Sequence, residues 1–408
     1  MFSICGGGDR LKTFTIAACA LYFLSGLVVT TLGAVLTPLL AHYHLTYTIG
    51  GQLVFLGQLG FLIGVPLATV LLKRLQEKTV LSIAAAIVAV AQLGMLSLPP
   101  FGWVIACNFL NGMSVATLET VVATLMIEVF IGRRAVAMSY LEVAFGLGAI
   151  FAPMFASFLI THNMWRYAFF LTGVFAIFMA VVWKVLTFSK ENVSQTAPMD
   201  ASRDIPRFIK RITKWQLLAL FVVMIFMYAG VEGSLNNYLP AIFITHLNEN
   251  RSHASISIGI FWVLMVVGRL MTGWIIRKIT YSRFLTGSIL GTMICLILFA
   301  TFKHDVLGYI LVGLLGLIMS GMYSITMVYA NHTLPGKERI VTSAITAFSG
   351  LGGAVLPGMI GWAMDHTSAV SVIWIITAMA GLYLVALLSV LVIHYVNAKQ
   401  TPSRHVAS

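Results

Sequence analysis

Apolar residues dominate the chain in long runs, and short polar stretches interrupt them at regular intervals. Twelve of these runs are long enough for one helical bilayer crossing each, at roughly 20 residues per crossing. They cover about residues 14–40, 49–72, 79–98, 102–130, 135–160, 165–188, 215–243, 256–276, 284–301, 306–330, 339–363 and 370–395. The pattern predicts an all-α membrane protein with twelve transmembrane helices. The longest polar stretch, residues 189–214, contains Pro198 and Pro206 and divides the runs six and six. It is predicted to be a linker, carrying at most a short interfacial helix, between an N-terminal six-helix bundle (1–188) and a C-terminal one (215–408) with a short tail. The first run, from about Phe14, is too long for the core of a signal peptide and reads as a membrane helix.

The two halves repeat. Segment 5 contains GLGAIFAP, Gly146 to Pro153, and segment 11 contains GLGGAVLP, Gly350 to Pro357, an offset of 204 residues. The same offset carries Gly64 onto Gly268 and the basic pair Lys73–Arg74 onto Arg277–Lys278. Two pseudo-symmetric bundles in the same orientation form the parallel-repeat plan of many secondary transporters, with the solute site between the halves at mid-membrane. Glycine lets helices approach closely, and proline bends a helix where neighbours satisfy the freed carbonyl. Gly146, Pro153, Gly350 and Pro357 are therefore expected in packing and gating rather than in solute contact.

Composition names the solvent. Of the residues, 59% are hydrophobic and 9% charged, whereas soluble domains carry about 25% charged residues. The net charge of +12 would fit nucleic acid if it were clustered, but it is spread over short loops. One set of loops, with both termini and the linker, holds 20 Lys and Arg; the opposite set holds 3, Arg166, Arg251 and Lys303. That bias predicts a bacterial-type plasma membrane with both termini cytoplasmic, which twelve crossings allow. No nucleic-acid partner is expected. Cys5, Cys19, Cys107 and Cys295 lack the spacing of a metal site or disulfide framework. No phosphate-binding loop and no HExxH stands in the chain, so neither cofactor nor enzymatic activity is expected. A monomer is the expected state.

Four acids fall within the runs: Glu119 and Glu128 in segment 4, Glu142 in segment 5 and Glu232 in segment 7. A charged side chain at the bilayer centre costs roughly 2.5–3.5 kcal/mol on insertion scales, and such groups usually face a cavity or an ion path. The basic residues in or beside the runs, Lys184 and Arg269, lie near their basic-loop ends, so the deep acids read as lacking a cation. An acid in that setting is a candidate for taking up and releasing a proton. Glu119, at mid-segment with Asn108 on roughly the same face, and Glu142, two turns into segment 5, are the proton-coupling candidates. For Glu142 a structural hydrogen bond is an equal alternative. Glu128 and Arg74 read as a gating charge cluster at the basic face, with Arg269 in the equivalent cluster of the second half. In YAGVEGSLNNYLP, Tyr228 to Pro240, Gly230 and Gly233 flank Glu232, which predicts a bent or locally broken helix lining a cavity. Glu232, Asn236 and Asn237 offer the donors and acceptors a hydroxylated solute needs. Gln58, Asn111, Trp262 and Tyr323 are further solute candidates, with plain helix packing as the alternative; Tyr323 lies 204 residues after Glu119.

These features together resemble the major facilitator superfamily. WRYAFFLTG, Trp165 to Gly173, is similar to the start of its sixth helix. GVPLATVLLKRLQEK, Gly64 to Lys78, is similar to its loop 2–3 signature, with Lys73 where an aspartate is usual. Three stretches resemble the fucose–glucose permease branch: Gly112 to Phe130, Tyr228 to Pro240, and SGLGGAVLPGMIGWAMD, Ser349 to Asp365. The resemblance implies sugar–proton symport, with Glu119 as the proton-linked acid. One departure is TTLGAVLTP, Thr30 to Pro38, where the branch's sugar permeases carry polar or acidic residues in helix 1.

The expectation is a secondary transporter working by alternating access, with protons and a small hydroxylated solute as its partners in the lipid bilayer. Proton-driven efflux of drugs or a metabolite is the first alternative, to which 20 methionines and many aromatics lend a greasy surface. A membrane sensor that transports nothing is the second.

Overall fold

The computed structural model describes residues 7–130, 134–186, 211–335 and 337–399. Every regular element among them is a helix, because in lipid a backbone must satisfy its own hydrogen bonds. The N-terminal half holds α1 (Gly7–His42), α2 (Tyr47–Leu71), α3 (Glu77–Leu96), α4 (Phe101–Val129), α5 (Arg134–Thr161) and α6 (Tyr167–Val185). The C-terminal half holds α7 (Arg211–Leu247), α8 (Arg251–Ile275), α9 (Tyr281–Thr301), α10 (Asp305–Met319), α11 (Met322–Thr333), α12 (Glu338–His366) and α13 (Ala369–Lys399). Twelve crossings result, each long and apolar enough for a bilayer, with α10 and α11 sharing the tenth. The expected linker lies outside the described residues except for 211–214, which open α7.

Of the bent or locally broken helix expected around Glu232, the broken form is absent, since α7 runs unbroken from Arg211 to Leu247 with Pro240 inside it. The tenth crossing is broken instead, at Ser320–Gly321. A side chain at Gly321 would meet Thr272 and Phe284 at 2.7 Å, so glycine permits that close packing. The Tyr228 hydroxyl donates to the carbonyl of Met319, the last residue of α10, at 3.4 Å.

The 204-residue repeat reaches individual contacts. A Cβ at Gly64 would strike the Met113 carbonyl, and one at Gly268 would strike the Leu317 carbonyl. Both glycines and both carbonyls are related by the offset, so the same α2–α4 packing recurs as α8–α10. Between the halves, Gly146 of α5 lies against Val266 of α8, and Gly350 of α12 lies against Leu62 of α2. These pairs are offset mates as well.

The halves meet through α2 with α12 and α5 with α8, and α1 runs beside α7. On the face opposite the basic loops they are joined by polar contacts. Asp365, at the end of α12, accepts the Tyr47 N–H at 2.8 Å and the Thr48 N–H and hydroxyl at 2.5 Å each. A carboxylate from one half thus caps the first turn of a helix in the other, where orphan N–H groups and the helix dipole favour an anion. The symmetry mates of Thr48 and Asp365 are Ser252 and Thr161, and their hydroxyls lie 2.6 Å apart. Nearer the basic face the Glu142 and Arg269 side chains, joined between α5 and α8, remain 49% and 26% exposed.

Candidate functional site

A small, partly open cavity lies between α1, α2, α4 and α7, with a volume of about 60 Å³. Gln58, Asn108, Asn111, Asn236 and Asn237 contribute its polar lining, and Val28, Leu32, Val54 and Phe61 much of the rest. Four of the seven predicted solute residues thus share one cavity. Asn108 donates a hydrogen bond from its side-chain amide to the Leu53 carbonyl at 2.8 Å, and Asn237 donates one to the Gly233 carbonyl at 2.8 Å. Asn111 Oδ1 is buried without a partner, leaving an acceptor for an incoming donor. The volume holds a few waters and falls well short of the roughly 300–1,000 Å³ of ligand sites.

Trp262 joins this cavity to a second group. Its indole N–H donates to Asn236 Oδ1 at 2.9 Å, and its ring lies 5.5 Å from Phe145 and 5.6 Å from the Arg269 guanidinium. Arg269 Nη1 in turn donates to Glu142 Oε2 at 2.6 Å. Glu232 and Tyr228, one turn apart on α7, share the electrostatic surroundings of Arg269. Tyr323 lies with its ring 6.4 Å from that of Tyr228.

This arrangement bears on two readings. Arg269, expected in a charge cluster of the second half, reaches across the interface to Glu142 of the first. The premise that the deep acids lack a cation therefore fails for Glu142. The two residues are 127 positions apart and meet only because α5 and α8 pack face to face.

Glu119 sits apart, between α4 and α1. The Tyr22 hydroxyl donates to its backbone carbonyl at 3.1 Å. Its Oε1 is buried next to Ser25 Oγ of the neighbouring helix, which is buried as well. Among the described residues no ion pair forms at Glu119. Of the gating candidates, Pro357 packs 3.0 Å from where a Cβ on Gly233 would stand, and Pro153 lies within α5. Glu128 and Arg74 are both exposed at the basic face.

The sequence matches the Major Facilitator Superfamily over residues 18–348. The chain belongs to that superfamily. It is 30% identical over 365 residues to the glucose/mannose transporter GlcP of Bacillus subtilis (strain 168), covering 88% of this chain and 90% of the relative. Its fold matches an inward-facing, occupied bacterial homologue of the human lysosomal transporter Spinster, with a TM-score of 0.73, 14% identity and 96% and 98% of the two chains covered. It also matches a D-xylose–proton symporter, with a TM-score of 0.72, 16% identity and 93% and 97% covered. At those identities the structures show the fold. As a superfamily member the chain is an integral membrane transporter and no enzyme.

Several residues that join the halves of this superfamily fold escaped the sequence reading: Asp365, Thr48, Thr161, Ser252 and Ser255. Asp365 left a trace, as an acid closing the quoted segment-11 stretch on the basic-poor side. The hydroxyl residues left none, since serine and threonine are unremarkable in membrane helices.

Proposed function

We propose that the protein carries a hexose or a similar hydroxylated solute together with a proton, by alternating access between the two halves. The observation that carries this reading is the amide-lined cavity at their interface. Asn108, Asn111, Asn236, Asn237 and Gln58 supply paired donors and acceptors, the complement that neutral hydroxyls require. The likeness to GlcP, a glucose/mannose transporter, over most of both chains supports the same solute class. Glu232, Tyr323 and Trp262 are assigned to the wall that the solute meets as the site widens.

Proton coupling is assigned to Glu119. Its carboxyl is buried beside the Ser25 hydroxyl, with no ion pair among the described residues, so a proton is the partner that removes its charge. Protonation removes a charge that is costly at this depth and permits the closed state; release on the basic face resets the carrier. Glu142 is assigned to the link with Arg269 instead. The excess of Lys and Arg in one set of loops orients that face to the cytoplasm of a plasma membrane, and the chain works as a monomer.

The test is uptake of labelled glucose and mannose by purified protein in liposomes under an imposed pH gradient. Wild type should accumulate hexose. Glu119→Gln should lose accumulation while retaining solute exchange. Gradient-driven accumulation by Glu119→Gln equal to wild type would remove Glu119 from the coupling scheme. Absence of hexose transport in wild type would remove the solute class.

A further inference from the structure

We propose that Trp262 is the positioning residue through which occupancy of the amide-lined cavity controls the Glu142–Arg269 link between the halves. The solute half of this inference rests on the transport reading above; the mechanical half does not. Trp262 is 4% exposed and is held on three sides. Asn236 accepts its N–H at 2.9 Å, Phe145 of the opposite half lies 5.5 Å from its ring, and Arg269 lies 5.6 Å from it. Packed interiors do not deform continuously. A cavity of about 60 Å³ cannot admit a sugar without displacing its lining, and Asn236 is the lining residue bonded to the indole. Moving Asn236 moves Trp262, and Trp262 cannot move without changing its contacts with Phe145 and Arg269. Phe145 stands three residues, about one helical turn, after Glu142 on α5. The chain of contact runs from cavity amide to indole to guanidinium to the acid of the other half.

The repeat shows that this chain exceeds what packing demands. The offset mates of Trp262, Arg269 and Glu142 are Gln58, Val65 and Thr346. The glycine contacts between the halves recur on both arms, at Gly146–Val266 and Gly350–Leu62. The ionic link and its indole stand on one arm, where a valine and a threonine suffice on the other. A cation held over an aromatic face is also sensitive to the position of that ring.

The experiment uses full-length protein in liposomes, with native cysteines replaced and spin labels at Leu75 and Ile279. These are symmetry-related exposed positions at the basic face, 39% and 38% accessible. Populations of the two inter-half distances are read for wild type, Trp262→Phe, Glu142→Gln and the double variant. Phenylalanine keeps a ring under Arg269 and removes the N–H. Trp262→Phe should shift the closed-to-open ratio at this face by about tenfold, the scale of one lost buried hydrogen bond, and Glu142→Gln by no more than about fivefold, the scale of a partly exposed ion pair. The double variant should shift it no further than the larger single, because both cut one chain; additive shifts overturn the proposal. Added glucose should move the wild-type ratio and leave Trp262→Phe unmoved, with hexose Kd changed less than the maximal uptake rate. Equal responses in both proteins also overturn it. Asn236→Ala breaks the chain from the cavity side and should reproduce the solute-free shift of Trp262→Phe, which guards against a tryptophan variant that fails to fold. If wild type responds to no hexose, the solute reading fails, while the mutant cycle, which needs no solute, still decides the link.

Discussion

Asp365 of α12 holds Thr48 of α2 by two hydrogen bonds of 2.5 Å each, from the threonine's amide and from its hydroxyl. One side chain from the second half thereby caps a helix of the first. Capping side chains contribute about 0.5–2 kcal/mol. Asp365→Ala should shift the protein toward the state open on this face by about fivefold, at about 1 kcal/mol for the lost cap. Asp365→Asn keeps an oxygen acceptor and should shift it less. Distances between spin labels at His42 and Ser368, both exposed on this face, would read the change. Equal populations in wild type and Asp365→Ala would show that the apolar packing of α2 on α12 closes this face unaided.

The Glu142–Arg269 pair predicts an asymmetry between its two deletions. Both side chains are partly exposed, and exposed ion pairs contribute about 0.2–1 kcal/mol. Glu142→Gln should therefore alter the conformational equilibrium by no more than about fivefold. Arg269→Gln should cost more, because Arg269 also lies in the electrostatic field of Glu232 and its loss leaves two acids without a cation. Uptake by the two variants, compared at matched protein content, checks the order. A larger defect in Glu142→Gln would place the demand for charge on the acid.

How far the sequence carries is clear from these residues. The twelve crossings and the 204-residue repeat follow from patterns that act locally, namely apolar run length and glycine position, and the structure reproduces them down to the Gly64 and Gly268 contacts. Asn236 and Asn237 were legible as cavity residues because polar side chains in a lipid-facing helix are expensive. The pairing of Arg269 with Glu142 was not legible, because it depends on how α5 and α8 are rotated against each other. The break at Ser320–Gly321 was hidden for a similar reason: glycine and proline also surround Glu232, yet α7 stays continuous. What distinguishes the two sites is tertiary, the approach of Thr272 and Phe284 to Gly321.

The repeated glycine contacts predict paired stability losses. A methyl group at Gly64 or Gly268 would meet a backbone carbonyl, of Met113 or Leu317, which cannot rotate away. Gly64→Ala and Gly268→Ala should each destabilise the protein by about 1–3 kcal/mol, as overpacking does. At Gly287 of α9 nothing lies within 4 Å of the added carbon. Gly287→Ala should be neutral or stabilising by up to about 1 kcal/mol, because alanine is the better helix former. Thermal unfolding in one detergent would rank the three variants, and loss of stability in Gly287→Ala would refute the steric account.

Pro38 and Ser255 yield the sharpest double-variant test. Proline has no N–H, so Pro38 leaves the Ala34 carbonyl, four residues earlier in α1, without its helical donor. The Ser255 hydroxyl of α8 fills that place at 3.0 Å, across the interface between the halves, and also lies 3.1 Å from the Arg251 carbonyl of its own helix. Ser255→Ala should orphan a buried carbonyl, at a cost of about 1–3 kcal/mol, paid in the state where α1 and α8 touch. Pro38→Ala restores an N–H to the helix and makes the serine dispensable. The double variant Pro38→Ala/Ser255→Ala should therefore recover most of the thermal stability lost by Ser255→Ala. If Ser255→Ala were equally damaging in both backgrounds, the serine would act through contacts other than the carbonyl that Pro38 exposes.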